Sequence, residues 1–318
     1  MPKVICETED FPYGSAINGW SEPTLTWDEV LWAAITVGRP NRHAVVQHGV
    51  PSMYEAIFRW SLIRMALEQR GVGGTRFWRT AALKTLDPTE KGAVSYFLGM
   101  TFCKAMAAKR LNTPWLIHLD VFRPQLDPVL RGRSRPDLVG KELGANIWHA
   151  FESKGRASPP NNGAKAKAKQ QAERLVSING ISCSLHVGAI TFFKNDAVQF
   201  YWVDPSPDEK REIRVPFNEN AWRAYYFPAW QAINSALSDG SGADSAVFSA
   251  FLPELDIKVA LHPVVASHLA NEAWGEAQRV AEERREEMAA EGYRPDGLMV
   301  RAGDSWLRRF DEGVDIDG

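Results

Sequence analysis

The sequence predicts an α/β protein in which helices pack on a central sheet, with further helical segments at both ends. Three observations predict it. Helical and strand-like patterns alternate between residues 88 and 193, which is the pattern of a sheet covered by helices. Hydrophobic residues make up 45% of the 318 and charged residues 24%, ordinary for a folded chain with a sizeable core. No uninterrupted apolar run approaches the roughly 20 residues of a membrane helix, and Met1 to Glu7 lacks the apolar stretch of a signal peptide, so a cytoplasmic protein is expected. The length suits about two domains or one elaborated domain. Three regions are expected: 1–87, helical; 88–204, the core; and 205–318, helical with an acidic helix and tail.

The first 25 residues, with Pro2, Pro12, Gly14, Gly19 and Pro23, predict an irregular arm. Thr26 and Glu29 match a capping box and open a helix to about Thr36, ended by Gly38 and Pro40. Ser52 and Glu55 form a second box, with Ile57, Phe58, Ser61, Leu62 and Met65 at helical spacing until Gly71, Gly73 and Gly74. Asp87-Pro88-Thr89-Glu90 is a third start signal, with proline at the first helical position. That helix, 88–111, carries Val94, Phe97, Leu98, Thr101, Phe102 and Ala105 on one stripe, which predicts packing on the sheet. Residues 115–122 predict a strand on which His118 and Asp120 share a face, either a polar edge or metal ligands. The three cysteines, Cys6, Cys103 and Cys183, are odd in number and far apart, so they indicate buried thiols, not a disulfide framework or a zinc site.

The chemistry concentrates between Arg135 and Arg174. Arg135-Pro136-Asp137 leads into Leu138 and Val139, Gly140, Gly144 and Asn146 supply turn residues, and 147–154 is a strand pattern ending in Glu152-Ser153-Lys154. Period two puts Glu152 and Lys154 on one face, and a hairpin would bring Asp137 beside Glu152. Two carboxylates and an ammonium would then converge, a set suited to a hard cation that keeps water and phosphate in its other positions. Acid-x-Lys recurs at Asp208-Glu209-Lys210, in apparent loop chemistry, and at Asp256-Ile257-Lys258, which lacks the preceding hairpin. Arg294-Pro295-Asp296-Gly297 repeats the first triplet but reads as a turn.

Pro136-Asp137 with Glu152-Ser153-Lys154 resembles the PD-(D/E)XK nuclease superfamily, the restriction-endonuclease-like fold, over roughly 88–203. The resemblance implies a mixed central sheet flanked by helices, in the order helix, three strands, helix, strand. It implies a metal-dependent endonuclease hydrolysing phosphodiester bonds, with Asp137, Glu152 and Lys154 catalytic. Mg²⁺, or Mn²⁺ in its place, would be held by Asp137, Glu152 and the Ser153 carbonyl. Glu90 is the candidate additional acid on the first helix, against its simpler reading as a cap. Family habit favours DNA and a setting in restriction or anti-phage defence. The alternatives are a DNA repair or recombination nuclease, and a non-catalytic nucleic-acid-binding or interaction protein on the same fold.

Charge supports a phosphate ligand locally. The net charge of −2 argues against a protein that coats nucleic acid, yet residues 131–174 hold ten basic residues against four acids. After a loop at 155–163, a helix over about 164–177 places Ala168, Ala172, Leu175 and Val176 on its buried face. Gln171 then lies at the border beside Lys167 and Arg174, and Gln170 points to solvent. Arg156, Lys167, Gln171 and Arg174 are the expected nucleic-acid contacts. Residues 182–193 and 197–203 predict a hairpin around Lys194-Asn195-Asp196. From Pro205 the pattern is helical, broken at 238–242, and 271–291 carries seven acids against three arginines, an exposed helix. The terminal helical regions are the expected surfaces for a homodimer or a partner protein.

Overall fold

The computed structural model describes residues 1–12, 17–37, 51–71, 75–122, 136–206, 208–238 and 248–310. It is a mixed α/β fold whose central mixed sheet is flanked by helices. Among the described residues no helix is long and apolar enough to cross a membrane.

The N-terminal arm, expected to be irregular, contributes two strands. Strand β1 (Ile5–Glu9) lies parallel to the later strand at 197–203, and β2 (Gly19–Ser21) pairs with β1. Val4, Cys6 and Thr8 alternate into the core, a period-two signal that was present in the sequence. Helix α1 (Trp27–Thr36) has the expected box: the Thr26 hydroxyl accepts from the Glu29 N–H (3.1 Å), and the Glu29 carboxylate accepts from the Thr26 N–H (2.7 Å). Helix α2 (Pro51–Ala66) gives way directly to strands β3 (Leu67–Arg70) and β4 (Arg76–Arg79), so the expected helical run to Gly71 is shorter. Short helix α3 (Ala81–Thr85) precedes α4 (Pro88–Arg110), which begins at the expected cap and buries Val94, Leu98, Thr101, Phe102 and Ala105.

Strand β5 (Trp115–His118) ends four residues early in a 3-10 turn, Leu119–Phe122. His118 and Asp120 therefore do not share a strand face; the Asp120 N–H donates to His118 Nδ1 (3.1 Å) instead. Strands β6 (Leu138–Lys141) and β7 (Trp148–Arg156) form the expected antiparallel hairpin, with Leu138 opposite Phe151 and Lys141 opposite Trp148. Helix α5 (Asn162–Ala172) starts at the Asn161 cap and stops five residues short of the expected end. Residues Arg174–Ile178 are strand β8, which turns through Asn179 (φ 48°) and Gly180 (φ 84°) into β9 (Ile181–Ser182). Asn-Gly is the strongest short hairpin signal, and here it outweighs the helical pattern before it.

Strands β10 (Leu185–Lys194) and β11 (Ala197–Val203) form the expected hairpin, and β10 runs parallel to β7. The central order is β2-β1-β11-β10-β7-β6-β5, with β4 joined to β11 and β3 to β4. The region after 205 is not wholly helical. Strand β12 (Asp208–Val215) pairs with β8, so Asp208-Glu209-Lys210 opens a strand and is not a loop. After α6 (Glu219–Ser238), strands β13 (Ser249–Leu252), β14 (Ile257–Leu261) and β15 (Leu298–Ala302) make a third sheet. Between the last two strands lie α7 (Pro263–Ala270), α8 (Trp274–Glu283) and α9 (Arg285–Ala290). The acidic stretch is thus two helices, with Trp274, Ala277, Ala281 and Met288 buried. The main hydrophobic core runs from Val4 to Trp306 through all three regions, and a second, smaller cluster of Ala168, Ile190, Phe192, Tyr201 and Val203 lies between α5 and the sheet.

Candidate active site

The β6–β7 hairpin brings the sequence-predicted residues together. Continuing its register by one step sets Asp137 opposite Glu152, and the Ser153 N–H donates to Asp137 Oδ2 (3.0 Å). Glu152, Lys154 and Arg156 alternate onto the face of β7 that meets α5. On that face Gly188, the β10 partner of Glu152, lies so close to α5 that an added Cβ would sit 3.0 Å from the Ala168 carbonyl. Phe151, Ser153 and Gly155 take the other face, against α4. At Gly155 a Cβ would come within 1.6 Å of the Ser95 carbonyl, and at Gly99 within 2.7 Å of the Gly155 nitrogen. Any side chain at either glycine would push α4 off the strand that carries the acid.

Glu152 is 1% exposed. Burial, then the neighbouring Asp137 charge, pushes its carboxyl up to about 7, against the pull of Lys154 and Lys167. Lys154 forms an ion pair with Oε1, while Oε2 has no hydrogen-bond partner among the described residues. An ionised carboxylate buried with so little compensation is costly, and its remaining oxygen suits a donor or a cation supplied from outside. Among the described residues no third His, Cys, Asp or Glu completes a three-ligand cluster here. The two carboxylates with a backbone carbonyl at Ser153 are hard oxygen donors that fit a cation such as Mg²⁺, which keeps several of its waters.

Lys154, Arg156 and Lys167 line one cavity of about 260 Å³ with Ala164, Ala168 and Ile190. The buried Nε of Arg156 has no hydrogen-bond partner among the described residues. Gln171 follows Lys167 by one turn on the same side of α5, its Oε1 buried and likewise without a partner.

Other expected contacts lie elsewhere. Arg174 is the first residue of β8 and buried, because the helix that was to present it has ended. Lys165 pairs with Glu7 (2.8 Å) and Glu9 (3.5 Å), Lys169 with Asp10, and Lys141 with Glu282 (2.7 Å). Much of the local positive excess is therefore spent inside the fold. Glu90 is exposed in the α4 capping box, where its carboxylate accepts from the Asp87 N–H (3.3 Å). Asp256 lies in the β13–β14 turn (φ 51°) and accepts from the Ser305 N–H (3.0 Å), which makes Asp256-Ile257-Lys258 a turn anchor. Arg131, Arg133 and Arg135 lie outside the described residues.

Sequence reasoning missed what α4 adds. The Tyr96 hydroxyl is held above its usual range by partial burial and by the charges of Asp137 and Glu152, and the Tyr96 backbone packs on β7, its nitrogen 3.0 Å from where a Cβ on Gly155 would sit. Cys103, fully buried beside Ser153, is pushed up mainly by burial. The available signal was the paired Gly99 and Gly155, which mark a close helix–strand contact. Comparison of the chain with protein-family models, with curated proteins and with solved structures gave no match.

Proposed function

We propose that this chain is a metal-dependent nuclease of the PD-(D/E)XK type that hydrolyses phosphodiester bonds, with DNA the favoured substrate and restriction or anti-phage defence the favoured setting. The observation that carries the reading is Glu152: a buried carboxylate beside Asp137, with one oxygen unpartnered, next to a lysine that opens onto a basic cavity. The order of helix α4, strands β5 to β7, helix α5 and strand β10 supports it further.

Asp137, Glu152 and the Ser153 carbonyl would hold Mg²⁺ or Mn²⁺. A cation so held would lower the pKa of a bound water and polarise the phosphodiester. The protein's own side chains supply the remainder. Lys154, tethered by its pair with Glu152, presents an ammonium where negative charge grows on the phosphate oxygens. Arg156 and Lys167 meet flanking phosphates from the cavity wall. Glu152, poised near neutrality, must give up its proton before it can serve as an anionic ligand, so metal binding is coupled to proton release.

The test is incubation of the purified chain with supercoiled plasmid, linear duplex, single-stranded DNA and RNA, each with Mg²⁺, Mn²⁺ or EDTA. Cleavage that requires the cation is expected. Undiminished cutting in excess EDTA, or no cutting of any substrate, overturns the reading.

A further inference from the structure

A second cavity, of about 330 Å³, opens between α2 and α4 on the opposite side of the sheet from the basic one. Phe58, Tyr96 and Phe97 give it aromatic walls, Met100 lies at its floor, and Glu55 and Arg59 supply its polar edge. The rings are held as a set: Phe58 and Tyr96 each meet Phe97 edge-on, with centroids 5.7 and 5.6 Å away. The Arg59 guanidinium lies 5.5 Å from the Phe97 centroid and is fixed by Glu55 (3.0 Å) and the Ala34 carbonyl (3.0 Å). Phe58 is nevertheless 51% exposed and Tyr96 44%, a large apolar cost to leave facing water.

The size and chemistry of this cavity suit one planar heteroaromatic ring. Its volume is at the lower end of small-molecule sites, its walls offer π faces, and a guanidinium beside a carboxylate offers both donors and acceptors to a ring edge. Its position narrows the occupant further. Tyr96 lines the cavity, and its backbone nitrogen lies 3.0 Å from where a Cβ on Gly155 would sit, so the cavity abuts strand β7 one residue beyond Lys154. Three cations line the cavity on the other face. A nucleic-acid strand crossing the acids would meet cationic groups on one side for its phosphates and aromatic faces on the other for a base.

We infer that the Phe58–Tyr96 cavity takes an unpaired base of the strand to be cut, so that the preferred substrate is single-stranded nucleic acid or a single-stranded end. This rests on the nuclease reading of the adjoining acids. In a duplex the bases are stacked inward and cannot reach such a cavity without being flipped out, at an unstacking cost that a single strand avoids. Base stacking on aromatic side chains is sequence-tolerant and adds to the affinity that phosphate contacts supply.

The experiment uses a short oligonucleotide carrying 2-aminopurine, as single-stranded DNA, as single-stranded RNA and as a blunt duplex, with binding measured in EDTA. The parent is expected to prefer a single strand and to quench the 2-aminopurine. Phe58→Ala and Tyr96→Ala should each weaken single-strand binding roughly five- to hundredfold and relieve the quenching, with duplex binding unchanged and Phe58→Trp retaining the parent's behaviour. Whichever of DNA and RNA shows this response is the source of the base.

Variants that bind single strands like the parent overturn the inference, as does a parent that prefers duplex. A Phe58→Ala variant that turns a dimer into a monomer while leaving oligonucleotide binding intact overturns it too, and makes the cavity a protein interface. If the parent cuts duplex in Mg²⁺ and these variants are silent, the inference fails and the nuclease reading survives. If the variants lose single-strand binding while no metal supports cleavage, the cavity binds a base as inferred but the strand is not cut, and the catalytic reading fails.

Discussion

The triplet Arg-Pro-Asp occurs twice, at 135–137 and at 294–296; Asp296 acts on the charge of Lys104, while Asp137 flanks Glu152, the partner of Lys154. Asp296 is 0% exposed and its oxygens accept from Trp32 Nε1 (2.8 Å), the Tyr225 hydroxyl (2.6 Å) and the Leu298 N–H (3.1 Å). Lys104, equally buried, donates to the carbonyls of Pro114 (2.5 Å) and Thr36 (3.4 Å) and to Tyr225 (2.7 Å), and lies over the rings of Trp32 and Tyr225. This network joins α1, α4, α6 and the turn before β15. At the other triplet the acids are also sheltered, yet Glu152 keeps an unpartnered oxygen and Lys154 opens onto a cavity. Saturation of the polar groups, more than burial, separates a structural charge cluster from one left with chemistry to do.

The largest effect expected from this contrast follows removal of one charge on each side. Asp296→Ala strands Lys104 without its counter-charge and leaves the Trp32 and Tyr225 donors short of a partner, which should cost about 3–5 kcal/mol of stability. Lys154→Ala should cost little stability, because the exposed ammonium leaves behind a carboxyl already able to take up a proton near neutrality. It should reduce turnover about a hundredfold or more, roughly 3 kcal/mol at the transition state, while leaving Mn²⁺ binding intact. Asp137→Ala should lose both metal affinity and cleavage. Urea unfolding, calorimetric Mn²⁺ titration and single-turnover cleavage on the same preparations separate these effects. An Asp296→Ala variant as stable as the parent, or a Lys154→Ala variant that cuts as well, breaks the contrast.

The two clusters should also respond to pH in different windows. Glu152 rises from an ordinary 4.5 to about 7 in the fold, so the folded chain holds more protons between those values. Its contribution is full below pH 4.5 and is lost as pH rises to 7, up to about 3 kcal/mol. Glu152→Gln should therefore match the parent in acid and exceed it above pH 7. Lys104 is pushed down to about 7 by burial, against the pull of Asp296, so the unfolded chain holds its extra proton from 7 upward and the parent should gain stability from pH 7 to about 8.5, before the buried thiols of Cys6, Cys103 and Cys183, all raised by burial, reverse the slope. His149 and His186, both lowered to about 4 mainly by burial, destabilise parent and variant alike as pH falls from 6.5 and cancel in the difference. Urea midpoints at pH 4.5, 7 and 8.5 measure both windows. At pH 7, Mn²⁺ should raise the parent's midpoint more than the variant's.

The sequence conveyed most of what depends on near neighbours. Capping boxes at Thr26 and Asp87, the β6–β7 hairpin and the alternation of Glu152 with Lys154 are local patterns, and the structure has them. What it hid depends on distant pairing. Strand β1 is held by β11, almost two hundred residues away, so nothing near Ile5 shows its partner. The fate of Arg174 turned on Asn179-Gly180 and on β12, which converted an apparent helix end into a strand. Charge was the least legible quantity. The lysines of residues 141–169 look equivalent in sequence, but Glu7, Glu9, Asp10 and Glu282 come from other regions to pair with three of them.

The smallest predicted effect tests that last point on a single helix. Lys165 and Lys169 face β1, paired with Glu7, Glu9 and Asp10, while Lys167 faces the cavity that also holds Arg156. A cation already matched by a carboxylate releases little counter-ion on meeting a phosphate, whereas an unmatched one contributes fully to the salt dependence of binding. The double variant Arg156→Ala/Lys167→Ala should flatten the slope of log affinity against log salt by roughly two units for a duplex, and by somewhat less for a single strand. Lys165→Ala/Lys169→Ala removes the same formal charge and should leave that slope nearly unchanged. Its cost should be no more than about 1 kcal/mol of stability for each partly exposed ion pair lost. Fluorescence anisotropy titrations from low to moderate salt compare the two variants directly. Equal flattening in both would mean that bound nucleic acid displaces the β1 carboxylates, and that the whole helix, not one face of it, meets the phosphates.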